Sequence, residues 1–309
     1  MFDSPLSASA YEILQVAVTA TEEELRRAYR VRLRHTHPDT GGDAAQFVLV
    51  QRAWELVGTA QARAAYDRGH GFGTAAPHVQ DFAGFRAQAA PSTTRPGPRT
   101  YGQPGGRNRE RYLAGIREFA GRGVQLFDPY DPALVRSAPR ELKQLLADAL
   151  AEETTARVLS ELGMGYTLWH DVAVPTRSGH ALIIDHIVLG PSGLYAVASE
   201  DYGTAVRFKR SEVIGDGVPS APIATLVGAA RTLGRVAGVR FGGAMLVLPD
   251  EDLPETITEL GRVKSLPVAV VSPQTLTTML RRGVTGVPDI GGNEIFDVRT
   301  RLQRTVQFA

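Results

Sequence analysis

Cysteine is absent from all 309 residues. That absence excludes a disulfide framework, a cysteine-ligated zinc centre and a thiol nucleophile, and it fits a reducing compartment. Lysine is nearly absent too. The basic residues are 31 arginines and only three lysines, Lys143, Lys209 and Lys264, so lysine-dependent chemistry has three places to sit. Long apolar runs are also missing. A membrane-spanning helix takes about 20 mainly apolar residues, and the most apolar stretch, 181–199, is interrupted by Asp185, His186 and a Gly-Pro-Ser-Gly turn. The first ten residues carry an aspartate, a proline and no basic residue ahead of a long apolar stretch. No export signal is therefore expected, and the expected location is the cytoplasm. Charge of either sign is not in excess: the net value of +1 does not draw the whole molecule to nucleic acid or an anionic membrane.

What is present is a globular composition, 43% hydrophobic and 22% charged. The length favours two domains. Leucine and isoleucine vanish between Val57 and Tyr112, and from Gly69 to Asn108 the chain is dominated by Gly, Ala, Pro, Thr, Gln and Arg. Such a segment cannot bury enough apolar surface to offset its ordering entropy. The expected organisation is therefore an N-terminal domain over residues 1–69, a flexible Gly/Pro/Ala/Arg linker over 70–108, and a C-terminal domain over 109–309 with its core at about 139–282. Within the linker, Phe72, Phe82 and Phe85 lie among glycines, and residues 86–122 add seven arginines after Arg86 against two glutamates. The phenylalanines read first as spacer residues, with transient contact to a chaperone or client as the alternative. The arginines allow nonspecific contact with anionic surfaces.

The N-terminal segment has helical punctuation. Thr21 and Glu24 have capping-box spacing, and the helix they open places Leu25, Ala28, Tyr29 and Leu33 on one side. Arg26, Arg27, Arg30 and Arg34 fall on the remaining surface, with Arg32 nearby. Pro38 ends the helix and biases His37 away from helical dihedrals. Phe47, Val50, Trp54 and Val57 recur at helical spacing in the next helix, giving a helical hairpin with His37-Pro38-Asp39 at its turn.

With Tyr11-Glu12-Ile13-Leu14 before it and Ala53-Trp54-Glu55 leading to Arg63-Ala64-Ala65-Tyr66-Asp67 after it, this hairpin resembles the J domain of DnaJ-type co-chaperones. The resemblance covers residues 4–69. Val31 and Arg32 depart from it, since the family usually has a basic residue and then a leucine there. The resemblance implies binding to a DnaK-type heat-shock chaperone and stimulation of its ATP hydrolysis. It implies a partner surface made by His37, Pro38 and Asp39 with Arg26, Arg27, Arg30 and Tyr29. Arginine suits such a surface because its planar guanidinium binds carboxylates bidentately. His37 reads as a packing and hydrogen-bonding element, since no chemistry occurs on this domain.

The C-terminal segment reads as α/β. A helix is predicted over 139–162, strands over 166–174, 181–189 and 194–199, a helix over 222–236, strands over 244–248 and 268–271, and a helix over 273–282. Residues 293–308 read equally as helix or strand. The run Ala151-Glu152-Glu153-Thr154-Thr155-Ala156-Arg157-Val158-Leu159 and the hairpin from Ile184-Asp185-His186 to Gly193-Leu194-Tyr195 resemble the nuclease-related (NERD) domain of the restriction-endonuclease-like fold. The fold class expected for the whole chain is thus multidomain: an all-α J domain and an α/β restriction-endonuclease-like domain, joined by a disordered linker.

That second resemblance implies a helix glutamate, a strand aspartate and a Glu-x-Lys, with Mg²⁺ on the carboxylates. Glu152 matches the helix position, with Glu153 as a rival, and Asp185 matches the strand aspartate. The Glu-x-Lys falls on Ala198-Ser199-Glu200. One ligand is lost and the lysine position carries the opposite charge, so the active site is read as degenerate: no catalytic residue, no metal and no cofactor are expected. Near a phosphate a carboxylate at 4 Å repels by a few kcal/mol where lysine would attract. Glu200 shares a strand face with residue 198 and offers a route to rebuild a site with Asp185, aided by Lys209 or Arg207. On that alternative the chain is a metal-dependent nuclease, with Mg²⁺, regulated by its J domain. His170, His180 and His186 read as structural. The expected partners are a DnaK-type chaperone, a client protein and, through the C-terminal domain or basic linker, nucleic acid.

Overall fold

The structure, a computed structural model, describes residues 9–37, 42–70, 97–121, 123–175, 182–284 and 286–309. Pro38, Asp39, His180 and the phenylalanines at 72, 82 and 85 lie outside the described residues.

The chain divides into two units, one formed by the described residues of 9–70 with 125–138, the other by 97–124 with 139–309. The first unit is helical: α1 (Ala10–Leu14), α2 (Glu22–Thr36), α3 (Ala44–Val57) and α4 (Ala60–His70). Reciprocal capping boxes open α1 at Ser9 and Glu12 and α2 at Thr21 and Glu24, so two orphan N–H donors are satisfied at each start. Tyr11, Leu14, Leu25, Val50, Ala53, Val57 and Tyr66 make its core. Each such fully buried large side chain contributes roughly 1.5–3 kcal/mol.

The second unit holds β1 (Arg99–Tyr101), α5 (Gly106–Ala120), α7 (Arg140–Leu159), β2 (Thr167–Val174), β3 (Leu182–Gly190), β4 (Gly193–Ser199), β5 (Arg207–Lys209), β6 (Glu212–Ile214) and α8 (Pro222–Ala237). It continues with β7 (Gly243–Val247), β8 (Ile257–Val263), β9 (Leu266–Val271), α9 (Pro273–Arg282), α10 (Gly292–Thr305) and β10 (Gln307–Phe308). The main sheet runs β1-β2-β3-β4-β7-β9-β8, and β10 also pairs with β2; β5 and β6 form a separate hairpin. Strands β4, β7 and β9 are parallel and buried on both faces, which is why they read as near-continuous apolar runs. One face packs Trp169, Leu194 and Ala196 against Ile223 and Val227 of α8 and Leu302 of α10. The other packs Leu168, Tyr195 and Val197 against Leu159 of α7 and Leu280 of α9.

Two features depart from the sequence-based expectation. Residues 97–108, expected in the linker, carry β1 and the start of α5. Arg99 to Tyr101 pair in parallel with Thr167 to Trp169, and Tyr112 and Ile116 of α5 are fully buried. Their order comes from pairing to a strand 68 residues away, which local composition does not reveal. In addition α6 (Pro132–Ser137), expected in the C-terminal domain, belongs to the first unit, where Arg136 lies within electrostatic reach of Glu12 and Tyr66. The undecided segment 293–308 is both helix and strand, α10 followed by β10.

Candidate functional site

In the first unit, helix α2 ends at His37, whose backbone turns extended with φ −65° and ψ 128°. The His37 ring meets Phe47 edge-on at 5.0 Å between centroids, and its carbonyl accepts the Gly42 N–H at 3.0 Å, closing the turn. The imidazole therefore packs the corner between α2 and α3. Arg26, Arg27 and Arg30 are exposed on α2, and Arg26 is drawn back onto Glu22 at 2.6 Å. Tyr29, expected on the partner surface, stacks on Trp54 with centroids 4.5 Å apart, so one ring face is used to hold the hairpin together. At the far end, Tyr11 Oη donates to Asp67 Oδ1 at 2.5 Å and accepts from Arg63 Nε at 3.0 Å. Burial and the Asp67 bond push the Tyr11 phenol up to about 12. This network is what the Arg63 to Asp67 segment does: it fastens α4 to α1.

In the second unit, acidic side chains of α7, of β2 and β3 at Asp171 and Asp185, and of the residues just after β4 act on one another's charge. Glu152 is buried on α7; its Oε2 accepts the Gly105 N–H at 2.9 Å and its Oε1 accepts from Asn108 Nδ2 at 2.8 Å. Burial, then the charges of Asp185 and Asp171, push its carboxyl up to about 10, against those two donors. Asp185 Oδ2 accepts the Ser199 N–H at 2.7 Å, and burial holds the Asp185 carboxyl up at about 7. One helical turn before Glu152, Asp148 accepts from Gln144 Nε2 at 2.7 Å and is likewise held at about 7, by burial and by Asp201. Glu200 follows the end of β4, and burial with Asp148, Asp185 and Asp201 raises its carboxyl well above the usual range. The Tyr202 hydroxyl lies buried within reach of the Glu200, Asp148 and Asp185 charges and has no hydrogen-bond partner among the described residues.

Behind Asp185 runs a buried polar relay. His170 Nδ1 lies 2.7 Å from His186 Nδ1, and His186 Nε2 lies 3.1 Å from Ser199 Oγ. Burial lowers the His170 ring to about 4 and also holds His186 well below its usual value, with His170 adding to the effect, so both are neutral at pH 7 and one donates to the other. Both are internal packing residues of the sheet.

Residues 9–67 match the family model of the DnaJ domain, and residues 147–240 match that of the nuclease-related domain. The chain carries both domains. Among similar proteins, the chaperone protein DnaJ of Geobacillus stearothermophilus is 41% identical over 80 residues, 25% of this chain and 20% of that protein. The chaperone protein DnaJ of Thermosynechococcus vestitus is 45% identical over 78 residues, 24% of this chain and 20% of that one. That of Cereibacter sphaeroides is 43% identical over 65 residues, 19% of this chain and 17% of its own length. The chain thus spans about a fifth of these relatives, and the likeness lies in the J domain.

The NERD domain tests its implied metal site on its own residues. Residue 198 is alanine and offers no ligand, Glu200 stands where a lysine is expected, and both Glu152 oxygens accept protein donors. Among the described residues no three Asp, Glu or His side chains are grouped to hold a cation. The residues present do not fit a Mg²⁺ held by a strand Asp and a Glu-x-Lys. Arg207 and Lys209, expected as possible rescuers, are exposed on the separate β5–β6 hairpin. The cations that act on this site come instead from α5: Arg107 on Asp185 and Asp171, and Arg111 on Asp148. Arg109 pairs with Glu153, and the Arg107 N–H donates to Asp171 Oδ2 at 3.0 Å. Sequence reasoning missed Gly105, Arg107, Asn108, Arg109 and Asp148. Two signals pointed to them: Tyr112 and Ile116 at helical spacing, and Asp148 four residues before Glu152 on one helix face. Among the described residues no helix is long and apolar enough to cross a membrane.

Proposed function

We propose that this chain is a cytoplasmic J-domain co-chaperone that binds a DnaK-type heat-shock chaperone and stimulates its ATP hydrolysis. Its C-terminal nuclease-fold module, without catalysis of its own, binds a client or nucleic acid. The observation that carries the reading is the juxtaposition on α2 of exposed Arg26, Arg27 and Arg30 with a tight corner built on His37. A basic helix beside a fixed corner steers onto an acidic partner surface and docks in one register. His37 contributes by packing on Phe47, which fixes the C-terminal end of α2. The test is the steady-state ATPase of a DnaK-type chaperone with wild-type chain and with His37→Gln. Stimulation by the wild type and its loss in the variant, at unchanged melting temperature, support the proposal; basal turnover with the wild type overturns it.

A second reading, a metal-dependent nuclease regulated by the J domain, draws on one observation. Asp148, Asp185 and Glu200 act on one another's charge, an arrangement a cation would relieve. Incubation with plasmid and Mg²⁺ or Mn²⁺ separates the readings: cleavage abolished by Asp185→Ala favours the second.

A further inference from the structure

Outside both matched domains, the exposed edge of the main sheet combines unpaired arginines with exposed aromatic rings. The edge is made of two short strands laid end to end along β2: β1 pairs Tyr101 with Trp169, and β10 pairs Phe308 with Val172. Helix α10 borders it, tied by Gln303 Nε2 donating to Tyr101 Oη at 2.8 Å and by Arg299 Nε donating to Thr167 Oγ1 at 3.0 Å. The Arg299 guanidinium sits over the Phe296 ring at 5.2 Å, and Phe296 is 60% exposed. Exposed Arg99 lies close enough for its charge to disfavour that of Arg299, after burial has done so. Among the described residues neither arginine has a carboxylate partner. Further along, Phe308 is 50% exposed and covers Gly102, where an added Cβ would meet its ring at 2.8 Å. An open cavity of about 430 Å³ lies there, lined by Phe308, Arg107, Gln103, Glu110 and Asp171.

We propose that this edge binds single-stranded nucleic acid, with a phosphate between Arg99 and Arg299 and bases stacked on Phe296 and Phe308. Two neighbouring guanidiniums without a counter-charge gain from an anion with several acceptor oxygens, and arginine meets phosphate bidentately. Exposed rings beside such cations are the elements of a base-stacking platform, tolerant of sequence because every base has a π face. An acidic peptide would satisfy the arginines and leave both rings in water. The inference rests on the nucleic-acid branch of the function proposed above.

The test is fluorescence anisotropy of the full chain with a labelled 15-nucleotide DNA strand, its RNA counterpart and a duplex of equal length. Phe296→Ala and Arg99→Glu alter exposed positions, and Arg117→Glu, exposed near the end of α5, is the control; circular dichroism verifies the fold. Expected are preference for a single strand, roughly fivefold or greater weakening by Phe296→Ala and roughly tenfold or greater by Arg99→Glu. Arg99→Glu also lowers the log–log salt slope by about one, and the control stays within about twofold. The DNA and RNA arms tell which sugar is preferred. Equal affinity for duplex, or competition by oligo-glutamate as strong as by the unlabelled strand, overturns the assigned ligand. Binding by the wild type with both edge variants unaffected overturns this surface alone. Failure of the wild type to bind any strand overturns the surface and the nucleic-acid branch together, while leaving the chaperone ATPase result untouched.

Discussion

The Gly105 N–H lies 2.9 Å from Glu152 Oε2 and donates to it, so a residue before the matched nuclease-related segment holds the helix glutamate inside it. The approach needs glycine. Gly105 sits at φ 68°, and a Cβ there would come within 2.7 Å of the Ala149 carbonyl oxygen. Helix α5 and helix α7 pack through this contact, with Asn108 adding a second donor to the same carboxylate.

Gly105→Ala is expected to destabilise the second unit by on the order of 2 kcal/mol, from left-handed backbone strain and the loss of close packing. Gly228→Ala, in the interior of α8 with nothing near its missing Cβ, is expected to stabilise by roughly 0.5–1 kcal/mol. Thermal unfolding of both variants checks the contrast, which fails if the two shifts have the same sign.

Tyr11→Phe removes the bonds to Asp67 and Arg63 at the junction of α1 and α4. A loss of roughly 1–3 kcal/mol is expected for the J domain, because the partners are charged and partly buried. Urea unfolding followed by far-ultraviolet circular dichroism reads it; an unchanged midpoint would show the network to be ornamental.

Stability of the second unit should fall as pH rises from 6.5 to 8. Asp148 and Asp185 move from an unfolded value of 3.8 to about 7 in the fold, so the native chain keeps protons that the unfolded chain has lost. Their contribution is complete below about pH 4 and is lost as pH climbs through about 7. His170 and His186, lowered in the fold, act the other way: their contribution is complete above 6.5 and is lost as pH falls below it, for His170 through about 4. Above pH 6.5 the carboxyls therefore decide the slope. Asp148→Asn should reduce the fall by on the order of 1 kcal/mol. A melting temperature that rises with pH across this window would contradict the assignment.

Arg27→Glu combined with Arg30→Glu reverses two exposed charges on α2. On the proposed function, the concentration giving half-maximal ATPase stimulation should rise roughly tenfold or more, with little change in melting temperature. A variant as potent as the wild type would remove the electrostatic part of that proposal.

Much of the chain was legible in residue order. The capping box at Thr21, the apolar spacing of α2 and α3, and the apolar runs of β3, β4, β7 and β9 are local signals, and local physics carries them. The departure from the Glu-x-Lys pattern was legible too, because Ala198 has no ligand atom and Glu200 supplies a carboxyl where lysine would supply an ammonium. Less visible were β1 and α5. Three residues without Leu or Ile form no strand alone; Arg99 to Tyr101 are ordered by the edge of β2. Likewise Asp171 and Tyr202 carry no motif, and they act on the carboxyls of α7 and β3 only through the tertiary fold.

By itself, the residue order determined the two domain types, the basic face of α2 with its His37 corner, and the departure of Ala198-Ser199-Glu200 from a Glu-x-Lys pattern, since each depends on residue identity at short spacing. The tertiary structure alone decided that residues 97–120 belong to the second unit, that Arg107 and Arg111 rather than Lys209 act on its carboxylates, and that Phe296, Arg299, Arg99 and Phe308 share one edge. The physical reason is the range of the forces involved. Helix periodicity and capping act within a turn or two, whereas strand pairing and burial join residues whose distance along the chain exceeds 60, and no local pattern encodes which edge will be free to receive them.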